Sequence, residues 1–164
     1  MEAITATLGD GDETSRRETA SLAGELGPVA VGAFEVLADI VRMEPEPPET
    51  TLAALASIGG ARALPLLAKA LEDGPARLRI AALHGLAGLG SAAAESHEQV
   101  AAVLNDPSLS LRERLEAAHA LVRIGPTGDA VAHQLISALA ICDRWLRIGL
   151  LRTLARRPSL SQKA

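Results

Sequence analysis

The sequence predicts an all-α protein, a solenoid of about four to five stacked antiparallel helix pairs. Three observations predict it. The apolar residues, 48% of the chain, are mostly Ala and Leu, and Phe34 and Trp145 are the only aromatics. Ala and Leu are strong helix formers, whereas strands favour aromatic and β-branched side chains. A closing glycine recurs at Gly27, Gly59, Gly90 and Gly125, with Pro158 in fifth place, at spacings of 32, 31, 35 and 33 residues. A near-constant period of that size marks stacked helix pairs. Columns counted back from each closing residue also agree: the position 4 before it holds Ala23, Leu55, Leu86, Leu121 and Leu154, and the position 11 before it holds Arg16, Pro48, Arg79, Arg114 and Arg147.

The elements follow in order within one domain, residues 1–158. Unit one (1–27) is partial, with a short helix Glu2–Leu8 and a second helix Glu13–Leu26, as suits a capping or truncated terminal repeat. Unit two (28–59) begins with Pro28, suited to a first helical turn, and runs through VAVGAFEVLADIVR. Three prolines then impose a loop over Met43–Pro48 before a short helix Thr50–Ile58. Unit three (60–90) has helices Ala61–Glu72, with Pro65 near its start as a source of bending, and Ala76–Leu89. Unit four (91–125) has helices Ala92–Leu104 and Ser110–Ile124, separated by the stop Asn105-Asp106-Pro107. Unit five (126–158) has helices Gly128–Ile141 and Arg144–Arg156, and residues 159–164 are expected to form a flexible tail.

The formal charge of −4 hides an asymmetry. Residues 1–50 hold 11 acids and 3 bases, whereas residues 51–164 hold 9 acids and 13 bases. The last 20 residues carry 5 bases and no acid. Such a dipolar molecule steers charged partners toward one end. Cys142, the single cysteine, excludes an internal disulfide and a Cys-based zinc cluster. It fits a reducing compartment, so a cytoplasmic location is expected. Membrane association is not expected, because no uninterrupted apolar run reaches the roughly 18 residues of a span. The acidic Met1–Asp12 segment does not read as a signal peptide.

Residues Ala63–Gly90, ALPLLAKALEDGPARLRIAALHGLAGLG, carry a resemblance that extends over residues 8–158. The stretch resembles a HEAT repeat of the short kind found in phycobilisome lyases. The resemblance implies a right-handed superhelix of the HEAT or armadillo type, with second helices lining the concave face. It also implies that a turn Asp pairs with an Arg six residues on. Asp73 and Arg79 keep that spacing, as do Asp10 and Arg16, and the other units depart from it. The fold carries many functions, so the resemblance speaks to fold more than to activity.

The column containing Arg16, Arg79, Arg114 and Arg147 lies on the same side as the core leucines, and a charge there must be paired. A structural role is therefore expected, bonding the turn or the neighbouring unit. The opposite side of the second helices is the candidate binding face. Positions 13, 6 and 2 before each closing residue fall within about 20° of one line at about 100° per residue. That line holds Arg77, His84 and Gly88, then Arg112, His119 and Arg123, then Trp145, Arg152 and Arg156. In the first two units it holds Thr14, Ser21 and Glu25, then Glu46, Ala53 and Ser57. The face is thus expected to be cationic toward the C-terminal end and acidic or neutral toward the N-terminal end. An ordinary solvated helix face is the plainer reading of the same polarity. Trp145 among arginines has the composition of a binding hot spot.

No catalytic centre, metal site or cofactor is expected. His84 and His119 share a column, but adjacent helices are too far apart for one ion without reaching side chains, and no carboxylate occupies that column. His97-Glu98 is a single pair, unlike the repeated His-Glu pairs of deoxyhypusine hydroxylase, a HEAT-like iron enzyme. The leading expectation is a non-catalytic binding module or scaffold, engaging an acidic element of a protein or peptide through Arg112, Arg123, Arg152 and Arg156. The alternatives are a bilin lyase-like accessory factor and a nucleic-acid-binding HEAT-like protein. Only two aromatics argue against a tetrapyrrole pocket, and negative charge with few aromatics argues against nucleic acid. The outer apolar side of unit five is a candidate dimer face or the edge of a longer array.

Overall fold

The computed structural model describes residues 2–125, 134–136, 138 and 144–155, and its regular elements are all helical, with no strand among the described residues. The helices are α1 (Glu2–Asp10), α2 (Glu13–Leu26), α3 (Phe34–Met43), α4 (Glu49–Gly59), α5 (Leu64–Asp73), α6 (Ala76–Leu89), α7 (His97–Asn105), α8 (Leu111–Ile124) and α9 (Arg144–Ala155). Most of the expected helix Gly128–Ile141, together with Arg156, Pro158 and the expected tail, lies outside the described residues.

Local chemistry fixes the helix ends. Asp12 caps α2 by accepting a hydrogen bond from the Ser15 N–H at 2.8 Å. At α8 the Ser110 hydroxyl and the Glu113 carboxylate reciprocally satisfy each other's backbone N–H groups in a capping box. Gly27, Gly60 and Gly90 reverse the chain after α2, α4 and α6 with φ of +55°, +54° and +57°, a region that L side chains rarely adopt. The reversal after α4 therefore falls one residue later than the expected Gly59. Gly59 serves packing instead, because the Phe34 ring occupies the space its Cβ would take. Gly59→Ala is expected to cost about 1–3 kcal/mol through overpacking, measured by chemical denaturation.

The first helices of units two to four start later than expected. Each is preceded by a 3-10 segment, at Gly27–Ala33, Gly60–Ala63 and Gly90–Ser96. Ala30 (φ −89°, ψ 19°) and Ala93 (φ −97°, ψ 16°) leave the helical region there, so a kink separates the turn from the α-helix proper. Pro65 sits in the first turn of α5, where the N–H it lacks would be unpaired in any case.

Consecutive helices pair as α1 with α2, α3 with α4, α5 with α6, and α7 with α8. The second helices also pack in a row, α2 on α4, α4 on α6, α6 on α8 and α8 on α9, more extensively than α1, α3, α5 and α7 pack on one another. Small residues set this close approach. A Cβ on Gly24 would lie 3.2 Å from Ala54 Cα, and one on Gly85 would lie 3.1 Å from Ala56 Cβ. So the position three before one closing residue meets the position five before the next. The core beneath is leucine-rich, with Leu37, Leu52, Leu55, Leu67, Leu83, Leu86, Leu104 and Leu121 fully buried.

One stretch, Glu49–Asp73, is long and apolar enough to span a membrane by length and composition alone. Its geometry divides it into α4 and α5 at Gly60, and α4 packs between α2 and α6.

Three residues of the arginine column, Arg16, Arg79 and Arg114, bond the turn or the neighbouring unit. Arg79 donates from Nη1 to the Gly74 carbonyl of its own turn at 2.5 Å and from Nε and Nη2 to Glu113 Oε1 of the next unit at 2.7 Å. Arg114 is buried and donates from Nε to the Leu104 carbonyl at 2.9 Å. Arg16 pairs with Glu44 at 2.5 Å. The Asp73–Arg79 pairing implied by the HEAT resemblance does not form, and Asp73 makes no ion pair among the described residues. Glu113 is better placed, since it reaches Arg79 from the neighbouring helix while capping its own.

Candidate functional site

The candidate face is the exposed side of the row formed by α2, α4, α6, α8 and α9. Small side chains from the second helices make it shallow. A groove of about 400 Å³ between α4 and α6 is floored by Ala53, Ala56, Ser57, Gly85 and Gly88, with His84 on its wall. A second, of about 230 Å³, lies between α2 and α4 and shares Ala53 and Ser57 with the first. A third, of about 640 Å³, is polar, shares Thr50 with the second, and is walled by Arg16, Arg77, Glu44, Glu46 and Glu49. The three depressions are neighbours and line up as one track across the first three units.

The track's charges are mostly paired between units. Arg77 reaches back to unit two, where its Nη2 lies 2.8 Å from Glu46 Oε2 and its Nη1 donates to the Pro47 carbonyl at 3.1 Å. Both Glu46 and Arg77 stand 13 before their closing residues, so this pair joins equivalent positions of consecutive units. Arg123 donates from Nε to the Ala87 carbonyl of α6 at 2.8 Å. Ser57, the equivalent position of unit two, donates to the Gly24 carbonyl of α2 at 2.7 Å. The position two before the closing residue is therefore an inter-unit staple in both places, and Gly88 leaves unit three without that side chain. Arg77 and Arg123 join units as well as facing solvent.

A carboxylate that column reasoning missed sits between the two histidines. His84 Nε2 lies 3.1 Å from Glu116 Oε2, and His119 Nδ1 lies 3.6 Å from the same oxygen. Glu116 stands nine before Gly125, outside the column searched, but three residues before His119 and therefore on the same side of α8. Among the described residues no group of three such side chains is arranged to hold a metal ion.

The other predicted residues are placed as follows. Arg112 and Arg152 are exposed and have no ion pair among the described residues. Trp145 is exposed, with the Arg144 guanidinium 6.0 Å from its ring centroid. Arg156 lies outside the described residues. Acids dominate the opposite end, where Glu18 and Glu25 of α2 are exposed and unpaired among the described residues. The chain matches no protein-family model and no curated protein.

Proposed function

We propose that the chain is a non-catalytic interaction module, a right-handed α-solenoid of the HEAT kind. It takes an extended protein or peptide element along the exposed track of its second helices. The observation that carries this reading is that three neighbouring depressions line that track and share Thr50, then Ala53 and Ser57. A repeat array presents a broad surface of this sort without needing an enclosed pocket. The closer packing of the second helices supports putting them on the concave side, because the inner layer of a curved stack is the more crowded one. The partner's acidic element lies at the C-terminal end, where Arg112 and Arg152 have charge to spare, with His84 and Trp145 as neighbouring contacts. Arg77, His119 and Arg123 contribute while also holding units or the Glu116 carboxylate.

The test uses oligo-glutamate as a probe, followed by fluorescence anisotropy. Wild type is expected to bind it measurably, with affinity falling as salt rises. Arg112→Glu removes one free cation, and Ala53→Glu fills the floor of the track with a carboxylate. Each is expected to weaken binding several-fold while leaving the circular dichroism spectrum unchanged. Binding that neither variant alters, or no binding by wild type at low salt, would overturn the reading.

A further inference from the structure

We infer that copies of this chain associate head to tail, the open side of α2 in one copy docking on the open side of α9 in the next. The inference rests on the packing register of the second helices and shares only Arg152 with the proposed partner surface.

Each inner second helix has two flanks covered by its neighbours. One flank, five and one before the closing residue, meets the preceding unit. There Ala54, Ile58, Gly85, Ala120 and Ile124 are buried and Leu89 is half-buried. In α2 the same two positions are Leu22 and Leu26, which are 50% and 41% exposed. The other flank, seven before the closing residue, meets the following unit. There Ala20, Leu52, Leu83 and Ala118 are all buried, yet Leu151 of α9 is 52% exposed, and Ala155, three before the fifth closing position, is exposed as well. What α2 lacks is a following-type flank against it, and what α9 lacks is a preceding-type flank. A second copy offered end to end supplies both with the register used inside the molecule. A symmetric contact of α2 with α2, or of α9 with α9, would oppose two flanks of the same kind.

The charges agree with that polarity. Glu18 and Glu25 flank Leu22 on α2, and both are exposed without an ion pair among the described residues. Arg152 adjoins Leu151 and is likewise exposed and unpaired among the described residues. Over a longer stretch the first 50 residues hold 11 acids against 3 bases, while the last 20 hold 5 bases and no acid. Opposite ends attract and like ends repel, so the electrostatics select the head-to-tail arrangement over either symmetric one. A contact of this kind does not close on two copies and continues into open chains or rings.

The experiment is sedimentation velocity of the full chain over a concentration series, with Leu22→Glu, Leu151→Glu and an equimolar mixture of the two. All are first checked for equal helicity by circular dichroism. Wild type is expected to grow beyond a dimer with concentration and to shrink in high salt. Each variant alone is expected to stay monomeric, since each keeps only one working end. Their mixture is expected to stop at a one-to-one dimer, formed from the intact α9 side of Leu22→Glu and the intact α2 side of Leu151→Glu. Should Leu151→Glu lose helicity, Arg152→Glu replaces it as the tail variant. A wild type that is monomeric at every concentration, a single variant that still dimerises, or a mixture that stays monomeric would each overturn the inference.

Discussion

Replacing Arg79 with alanine is expected to lower stability by about 3 kcal/mol, a large loss for a surface-adjacent side chain. Arg79 bridges two units, binding Glu113 through Nε and Nη2 and the Gly74 carbonyl through Nη1. The Glu113 side chain is 3% exposed, so once the guanidinium is gone its charge keeps the Ser110 hydroxyl and N–H but loses the Arg79 guanidinium, its only salt bridge among the described residues. Arg79→Lys is expected to recover only part of the loss, because one ammonium cannot span both acceptors in the fork geometry of a guanidinium. Urea denaturation of wild type, Arg79→Ala, Glu113→Ala and the double variant measures the coupling, and the double variant should lose less than the sum of the singles.

The same pair gives stability a pH dependence of definite sign. Burial pushes the Glu113 carboxyl up, but the Ser110 hydroxyl and N–H and the Arg79 guanidinium outweigh burial and leave it below its ordinary value of 4.5. A carboxyl lowered on folding contributes stability above its unfolded value and loses it as pH falls. The contribution is therefore complete at neutral pH, begins to shrink as pH drops toward 4.5, and is gone below the lowered native value. The stability gap between wild type and Arg79→Ala should narrow over that acidic range. A gap that is constant from neutral to acid pH would mean that Arg79 acts through packing alone.

Leu83→Ala is expected to cost about 2–5 kcal/mol, whereas Leu151→Ala costs about 0.5 kcal/mol in dilute solution. Both leucines stand seven before their closing residues, in α6 and α9 respectively. Leu83 is fully buried between α6 and its neighbours, so truncation leaves a cavity. Leu151 is half exposed, so truncation removes little buried surface. Denaturation midpoints of the two variants, measured under dilute conditions, check the contrast. Equal losses would mean that the column does not describe the packing of α9.

The helical class and the boundaries of α2, α6 and α8 are legible in the sequence because each signal is local. Asp12 and Ser110 sit at helix starts, Gly27 and Gly90 at helix ends, and the apolar column of Ala23, Leu86 and Leu121 lies within these three helices. The 3-10 segments before α3, α5 and α7 were less legible, since Ala-rich turns carry no strong stop signal and Ala30 and Ala93 are good helix residues in any other setting. Part of the candidate face was legible too. Glu46 and Arg77 occupy the same column in consecutive units with opposite charges, so their pairing could have been read from the alignment of repeats. The Glu116 carboxylate between His84 and His119 escaped because it lies one helical turn off that column.

The sequence by itself determined that this chain is helical, that its helices come in pairs about 30 residues apart, and which side of each second helix is apolar. Those properties follow from composition and periodicity, which act within a turn or two of helix. Only the tertiary structure decided which charges remain available. Arg77 is joined to Glu46 across 31 positions, Arg79 to Glu113 across 34, and Arg123 to the Ala87 carbonyl across 36. Each partner comes from the neighbouring unit, and the second helices pack closely enough for these side chains to reach it, as where Gly85 of α6 meets Ala56 of α4. A periodic pattern reports that a cation faces outward. Whether that cation is spent on the next repeat or left for a partner depends on a spacing between helices of about 10 Å, which no single helix encodes.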